Sequence, residues 1–108
     1  MTKAHFLLLI GLAALGIPAP TYAANGPEAF ETNCASCHGL DGKAKTPAGK
    51  KLKVKDLAQS KIADAEIEKQ IVNGTQDAKG NQRMPEFKSK LSPEEIAALV
   101  EYVKTLRR

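Results

Sequence analysis

The chain has 108 residues, a formal net charge of +4, and 43% apolar against 26% charged residues. That length bounds the protein to one small domain and excludes a multi-domain enzyme, and the apolar share excludes wholesale disorder. Its two cysteines are too few for the disulfide framework of a small secreted scaffold or for a four-cysteine zinc site.

Lys3 and His5 precede an apolar run from Phe6 to Ile17, followed by Pro18, Pro20 and Thr21-Tyr22-Ala23 ahead of Ala24. A basic start, an apolar centre and small residues at the −3 and −1 positions predict a secretory signal peptide over residues 1–23. Cleavage after Ala23 fits best, because cleavage one residue later would place bulky Tyr22 at −3. The alternative is an uncleaved anchor. The uncharged stretch Phe6 to Ala24 has 19 residues, near the ~20 of a bilayer span, but two prolines interrupt it. Cleavage leaves a domain of residues 24–108 with a formal charge of +3, since Lys3 is lost. That domain keeps one histidine, His38, one methionine, Met84, and the pair Cys34 and Cys37.

Residues 27–33 read as a short helix, with Pro27 in the first turn and acidic residues near the positive end of the dipole. Gly39 to Lys61 is a long connection holding Gly39, Gly42, Pro47, Gly49 and seven lysines. Within it, Lys51-Leu52-Lys53-Val54-Lys55 alternates as a short extended segment with one face buried. A loop of that length implies that something fills the space it encloses. Asp64 to Asn73 reads as a second helix, capped by Asp64, striped by Ile67, Ile71 and Val72, and stopped by Gly74. Thr75 to Leu91 is irregular and carries Met84-Pro85. In the last helix Ser92 caps, Pro93 takes the first position and Glu95 completes a capping box, while Leu91 and Ile96 stand at staple spacing. Ile96, Leu99, Val100, Val103 and Leu106 share one face, and Lys104, Arg107 and Arg108 complement the negative end. The expected fold class is therefore all-α, with three main helices, two long loops and no convincing sheet.

Cys34-Ala35-Ser36-Cys37-His38 is the C-x-x-C-H pattern of covalent haem attachment. Two thiols three residues apart on a helical turn can each add to a vinyl group of one porphyrin, and the next residue presents an imidazole to the iron. A thioredoxin-like pair would need a βαβ context, a zinc site would need a carboxylate as fourth ligand, and a plain disulfide is possible in an exported protein. Covalent haem c would also supply the core that a short three-helix chain lacks. Leu40, Leu52, Val54, Leu57, Ile67, Ile71, Phe87, Leu91 and Leu99 are the candidates to pack around it. With His38 in use, Met84 is the thioether left for the sixth iron position, held extended by Pro85. The alternatives are an apolar role for Met84, with a lysine or water on the iron. A soft thioether favours ferrous iron and raises the reduction potential.

These features, with Gly39, Asp41-Gly42-Lys43 and a final helix ending Tyr102-Val103-Lys104, resemble the class I cytochromes c, in particular the short single-haem bacterial members. The resemblance covers essentially the whole of residues 24–108. It implies a crossing of the first and last helices through Gly26 and Phe30 on one and Leu99 and Tyr102 on the other. It also implies that Pro47 offers its carbonyl to the N–H of His38, fixing the tautomer and basicity of the ring. The chain departs from the family in lacking Trp, with its one mature Tyr placed at the crossing. Arg83, Lys51, Lys53 and Asn81 are left as candidate donors to the haem propionates.

The lysines at 43, 45, 50, 51, 53, 55 and 61 form either a solvated basic loop or a patch that steers an acidic redox partner toward the haem edge. The sequence thus reads as a soluble, periplasmic, monomeric single-haem electron carrier and not an enzyme, because six-coordinate iron leaves no position for substrate. Its expected partners are redox proteins with acidic docking surfaces; no nucleic acid is expected, and no stable membrane insertion after cleavage. Two other readings stay open: a haem subunit bound permanently to an oxidoreductase complex, and a gas-binding or peroxidatic haem protein if Met84 is not an iron ligand.

Overall fold

The computed structural model describes Gly11 and residues 24–108; the expected signal peptide, apart from Gly11, lies outside the described residues. The chain runs through α1 (Gly26–Asn33), α2 (Ala35–His38), α3 (Pro47–Lys51), a 3₁₀ turn (Leu57–Gln59) and α4 (Asp64–Asn73). It continues through β1 (Thr75–Gln76), β2 (Gln82–Met84) and α5 (Pro93–Thr105). The strands form a minimal antiparallel hairpin pairing Thr75 with Met84 and Gln76 with Gln82, with an irregularity between.

The three longest helices are the ones the sequence announces. On α5 the Ser92 hydroxyl accepts from the Glu95 N–H at 3.1 Å, and the Glu95 carboxylate accepts from the Ser92 N–H at 3.2 Å, a complete capping box. Asn25 caps α1 by accepting from the Glu28 N–H. The start of α4 differs from expectation: Ala63 occupies the cap without a side-chain bond, and Asp64 is the first helical residue. Its carboxylate instead meets Lys104 Nζ on α5 at 2.9 Å. An acid in the first turn still favours the helix through the dipole, without capping it.

Helices α1 and α5 pack closely enough that a Cβ on Gly26 would stand 2.7 Å from the Ala98 carbonyl oxygen. Phe30 on α1 lies with its ring centroid 5.2 Å from that of Tyr102, tilted by 58°. Phe30 and Leu99 are each 1% exposed and form the centre of the core. Helix α4 adds Ile67 and Ile71, the segment before α5 adds Phe87 and Leu91, and α5 adds Ile96, Val100 and Val103. The crossing anticipated from Gly26, Phe30, Leu99 and Tyr102 is thus present.

The two connections carry more structure than their composition suggests. The first contains α2's exit, α3 and the 3₁₀ turn; the second contains the hairpin. Residues 51–55 are not a strand: Lys51 ends α3, and Lys53 adopts a left-handed backbone with φ 53°. Leu52 and Val54 nevertheless turn inward while the lysines stay exposed. Leu40, expected against the haem, is 66% exposed. It sits in a tight turn closed by the Gly42 N–H donating to the Gly39 carbonyl, which carries its side chain into solvent. Among the described residues no helix is long and apolar enough to cross a membrane.

Ser92→Ala should lower unfolding stability by about 1 kcal/mol, the worth of a lost N-cap, measured by chemical denaturation. No change would mean that packing alone sets the start of α5.

Candidate functional site

Cys34 is the hinge between two helices: its N–H donates to the Phe30 carbonyl at 2.8 Å, ending α1, and its carbonyl accepts from His38 N–H at 2.9 Å, closing α2. One helical turn puts residues i and i+3 on the same side, so Cys34 and Cys37 share a face and His38 follows. Both cysteines are free thiols and half-buried. The turn is seated on α3. Thr46 caps α3 by accepting from the Gly49 N–H at 2.9 Å and donates to the Cys37 carbonyl at 3.1 Å. A Cβ on Gly49 would run into the Cys37 and Ala44 carbonyls, so only glycine allows this approach. Ala44 N–H also donates to the His38 carbonyl at 2.8 Å.

Pro47 occupies the first turn of α3. The hydrogen bond expected from His38 to its carbonyl is not formed: His38 Nδ1 is buried and has no partner. A helical carbonyl is directed at the N–H four residues on, which for Pro47 means along α3 toward Lys51. A buried polar atom without a partner is rare and calls for an explanation.

Cys34, Cys37, His38 and Met84 line one cleft of about 970 Å³, at the upper end of the ~300–1,000 Å³ typical of ligand and cofactor pockets. His38 and Met84 also line a second, smaller cavity of about 50 Å³ with Phe30 and Leu99. Of the apolar residues expected around a haem, Leu52, Val54, Leu57 and Phe87 line the larger cleft. Ile67, Ile71 and Leu99 line the smaller cavity, and Leu91 lies in the helical core. Lys53 and Arg83 are on the cleft wall; Lys51 and Asn81, the other candidate propionate donors, are not among its lining residues.

Burial, and then the neighbouring Cys37, pushes the Cys34 thiol up to about 11, so it stays protonated at neutral pH. Burial lowers the His38 pKa, which favours the neutral imidazole that ligates metals. The edge of the cleft carries Lys53, Lys55, Lys61 and Arg83 against Asp56 and Asp77. Both acids are engaged locally: Asp56 accepts from the Ala58 N–H, and Asp77 from the N–H groups of Lys79 and Asn81. The bond from the Asn81 backbone is the main reason the Asp77 carboxyl titrates below its usual range. A haem fits this donor set: two thiols on one helical face, an imidazole whose burial favours the neutral form, a thioether, apolar walls and a cationic edge for carboxylates.

Two supports escaped the sequence reading. Thr46 anchors the motif, and the Thr-Pro pair is a legible cap followed by a first-turn proline. Gly74 does more than stop α4. Its φ of 68° is left-handed, and a Cβ there would run into the Met84 carbonyl, so the end of α4 holds the backbone that presents Met84. No local signal marks that second role.

The family model described as Cytochrome c matches residues 23–107. A relative named cytochrome c6, from Nostoc sp. (strain PCC 7120), is 38% identical over 95% of this chain and 92% of its own length. Cytochrome c-553 of Helicobacter pylori is 35% identical over 89% of this chain and 96% of its own. Among solved structures, the KustC0563 c-type cytochrome superposes with a TM-score of 0.67 at 34% identity, covering 78% of this chain and 99% of that one.

Gly74→Ala should destabilise the protein by about 1–3 kcal/mol, the range for overpacking a close backbone contact. Chemical denaturation measures this, and unchanged stability would show that the Met84 segment yields without cost.

Proposed function

The chain belongs to the cytochrome c family, and on that premise we propose that it is an exported, soluble carrier of single electrons rather than an enzyme. The family brings a covalently bound haem c. Cys34 and Cys37 hold it, and His38 and Met84 ligate its iron. The observation that carries this reading is the convergence of two thiols, a half-buried imidazole and a thioether on one cleft. When bound, the haem supplies an iron that alternates between Fe(III) and Fe(II).

The chain's own residues make that exchange easy. His38 is fixed by the hydrogen-bonded turn from Cys34 and by Ala44, and the Met84 backbone packs closely on the glycine at the end of α4. Ligands held this firmly keep their places in both oxidation states, so little rearrangement accompanies transfer. Phe30, its ring centroid 6.4 Å from that of His38, and Leu99 line the small cavity on one side of the imidazole and make that side apolar. The soft Met84 sulfur favours the ferrous state and raises the potential. Pro47 contributes by starting α3, which with Thr46 anchors the Cys37 carbonyl.

Residues 1–23 direct export to the periplasm and are removed, leaving 24–108 as a monomer. Lys53, Lys55 and Lys61 on the cleft edge attract redox proteins with acidic docking surfaces, in contacts weak enough to release after each transfer.

The mature, haem-loaded protein should give a low-spin spectrum with the ferric iron–thioether charge-transfer band and no response of the ferrous form to carbon monoxide. Met84→Ala should keep the haem attached, abolish that band, admit carbon monoxide and lower the potential. An unchanged ferric spectrum in this variant would remove Met84 from the ligand set and favour a gas-binding or peroxidatic protein.

Charge reversal of Lys51, Lys53 and Lys55 to Glu should slow electron transfer to an acidic partner by roughly tenfold or more at low ionic strength, with the difference shrinking at high salt. Stopped-flow rates against salt measure this, and identical salt dependence would reduce the cluster to plain surface.

A further inference from the structure

We propose that Arg83 is a positioning residue for Met84: its guanidinium clasps the Leu52 carbonyl at the cleft wall and so keeps the thioether in place. The inference rests on reading Met84 as an iron ligand. Arg83 precedes Met84 on β2, and both line the cleft. Strand β2 is weakly held by its own hairpin, whose ladder has two pairs and an irregular register. Gly74 supports the Met84 carbonyl from the end of α4, but that contact leaves the far side of the strand to other restraints.

The guanidinium of Arg83 donates to the Leu52 carbonyl. Among the described residues this is the only hydrogen bond joining residues 52–62 to residues 75–87. Leu52 is itself anchored, its N–H donating to the Ala48 carbonyl at 2.9 Å at the end of α3, and Val54 N–H donates to the Gly49 carbonyl at 2.9 Å. Because α3 is seated on the Cys37 carbonyl through Thr46, the clasp runs from the Met84 strand to the scaffold of the Cys34–His38 turn. The left-handed backbone at Lys53 turns the chain directly after the clasped carbonyl. Asp77 does not compete for Arg83 through a hydrogen bond, since its oxygens accept from Lys79 and Asn81.

Arginine suits this role because its planar fork holds several donors in fixed directions, whereas lysine offers a mobile point charge. The side chain therefore couples the two ligand-bearing walls without touching the iron.

The test compares haem-loaded parent, Arg83→Leu and Arg83→Lys proteins. Arg83→Leu should retain haem and helical circular dichroism, yet its ferrous form should bind carbon monoxide at least tenfold faster than the parent. Its iron–thioether band should also vanish at lower denaturant concentration than global unfolding, and Arg83→Lys should recover part of both effects. A carbon monoxide rate and band stability equal to the parent's in Arg83→Leu would overturn the proposal. Should Arg83→Leu fail to fold, nuclear magnetic resonance of the parent decides. Slowly exchanging Arg83 guanidinium protons with Overhauser contacts to Leu52 or Lys53 are expected, and their absence overturns the clasp. A parent that lacks the band and binds carbon monoxide promptly takes Met84 off the iron and the clasp with it, a result distinct from failure of the variant alone.

Discussion

The packing of α1 against α5 is the contact on which the rest of the molecule depends. Gly26 lets the α1 backbone approach the Ala98 carbonyl, and the rings of Phe30 and Tyr102 fill the space beside it. Cys34 ends α1 through its bond to the Phe30 carbonyl and begins α2 in the same step. The orientation of the cysteine–histidine turn is therefore inherited from the helix crossing rather than chosen locally. Replacing the glycine by any side chain would move the first helix, and the turn would move with it. The same Phe30 that anchors the crossing also stands beside the imidazole, so one buried ring belongs both to the core and to the surroundings of the site.

The opposite wall is built on a different principle. Met84 comes from a three-residue strand in a hairpin too small to be stable alone. Its position is borrowed from neighbours: the left-handed glycine that ends α4, and an arginine that reaches to the end of α3. Helix α4 is in turn locked to α5 by buried Ile67 and Ile71 and, at the surface, by Asp64 to Lys104. That exposed ion pair contributes little by itself; the apolar contact does the holding. Both ligand candidates thus trace back to α5, one through α1 and one through α4.

What the sequence revealed, and what it hid, follows from how local each signal is. Ser92, Pro93 and Glu95 determine a helix start within four residues, and Pro27 does nearly as much for α1; these were legible. The C-x-x-C-H spacing is equally local. Asp64 looked like a cap and is not one, because an acid just inside the helix gives the same residue pattern as an acid just outside it. Leu40 looked like core by hydropathy, yet the glycine turn around it decides its direction. Contacts between segments far apart in the chain left no trace in any window: Gly74 against Met84, Gly49 against Cys37, and Arg83 on Leu52 are properties of the assembled fold. The composition did hint at the first connection's bulk, but not that α3 inside it would carry the motif.

The distribution of apolar residues explains why so small a chain tolerates such long connections. The buried cluster lies among α1, α4, α5 and the segment leading into α5, and residues 52–62 contribute to it only through Leu57 at its margin. Hydrophobic burial of that size is marginal for a domain this short. A haem attached at Cys34 and Cys37, as proposed, would give the inward faces of Leu52, Val54 and Phe87 an apolar partner in the cleft they line and would extend the core to the walls. On that proposal the cofactor would be a structural element as much as a redox one. Among the described residues the edge lysines Lys53, Lys55 and Lys61 form no salt bridge, so no ion pair of theirs is needed to close the walls.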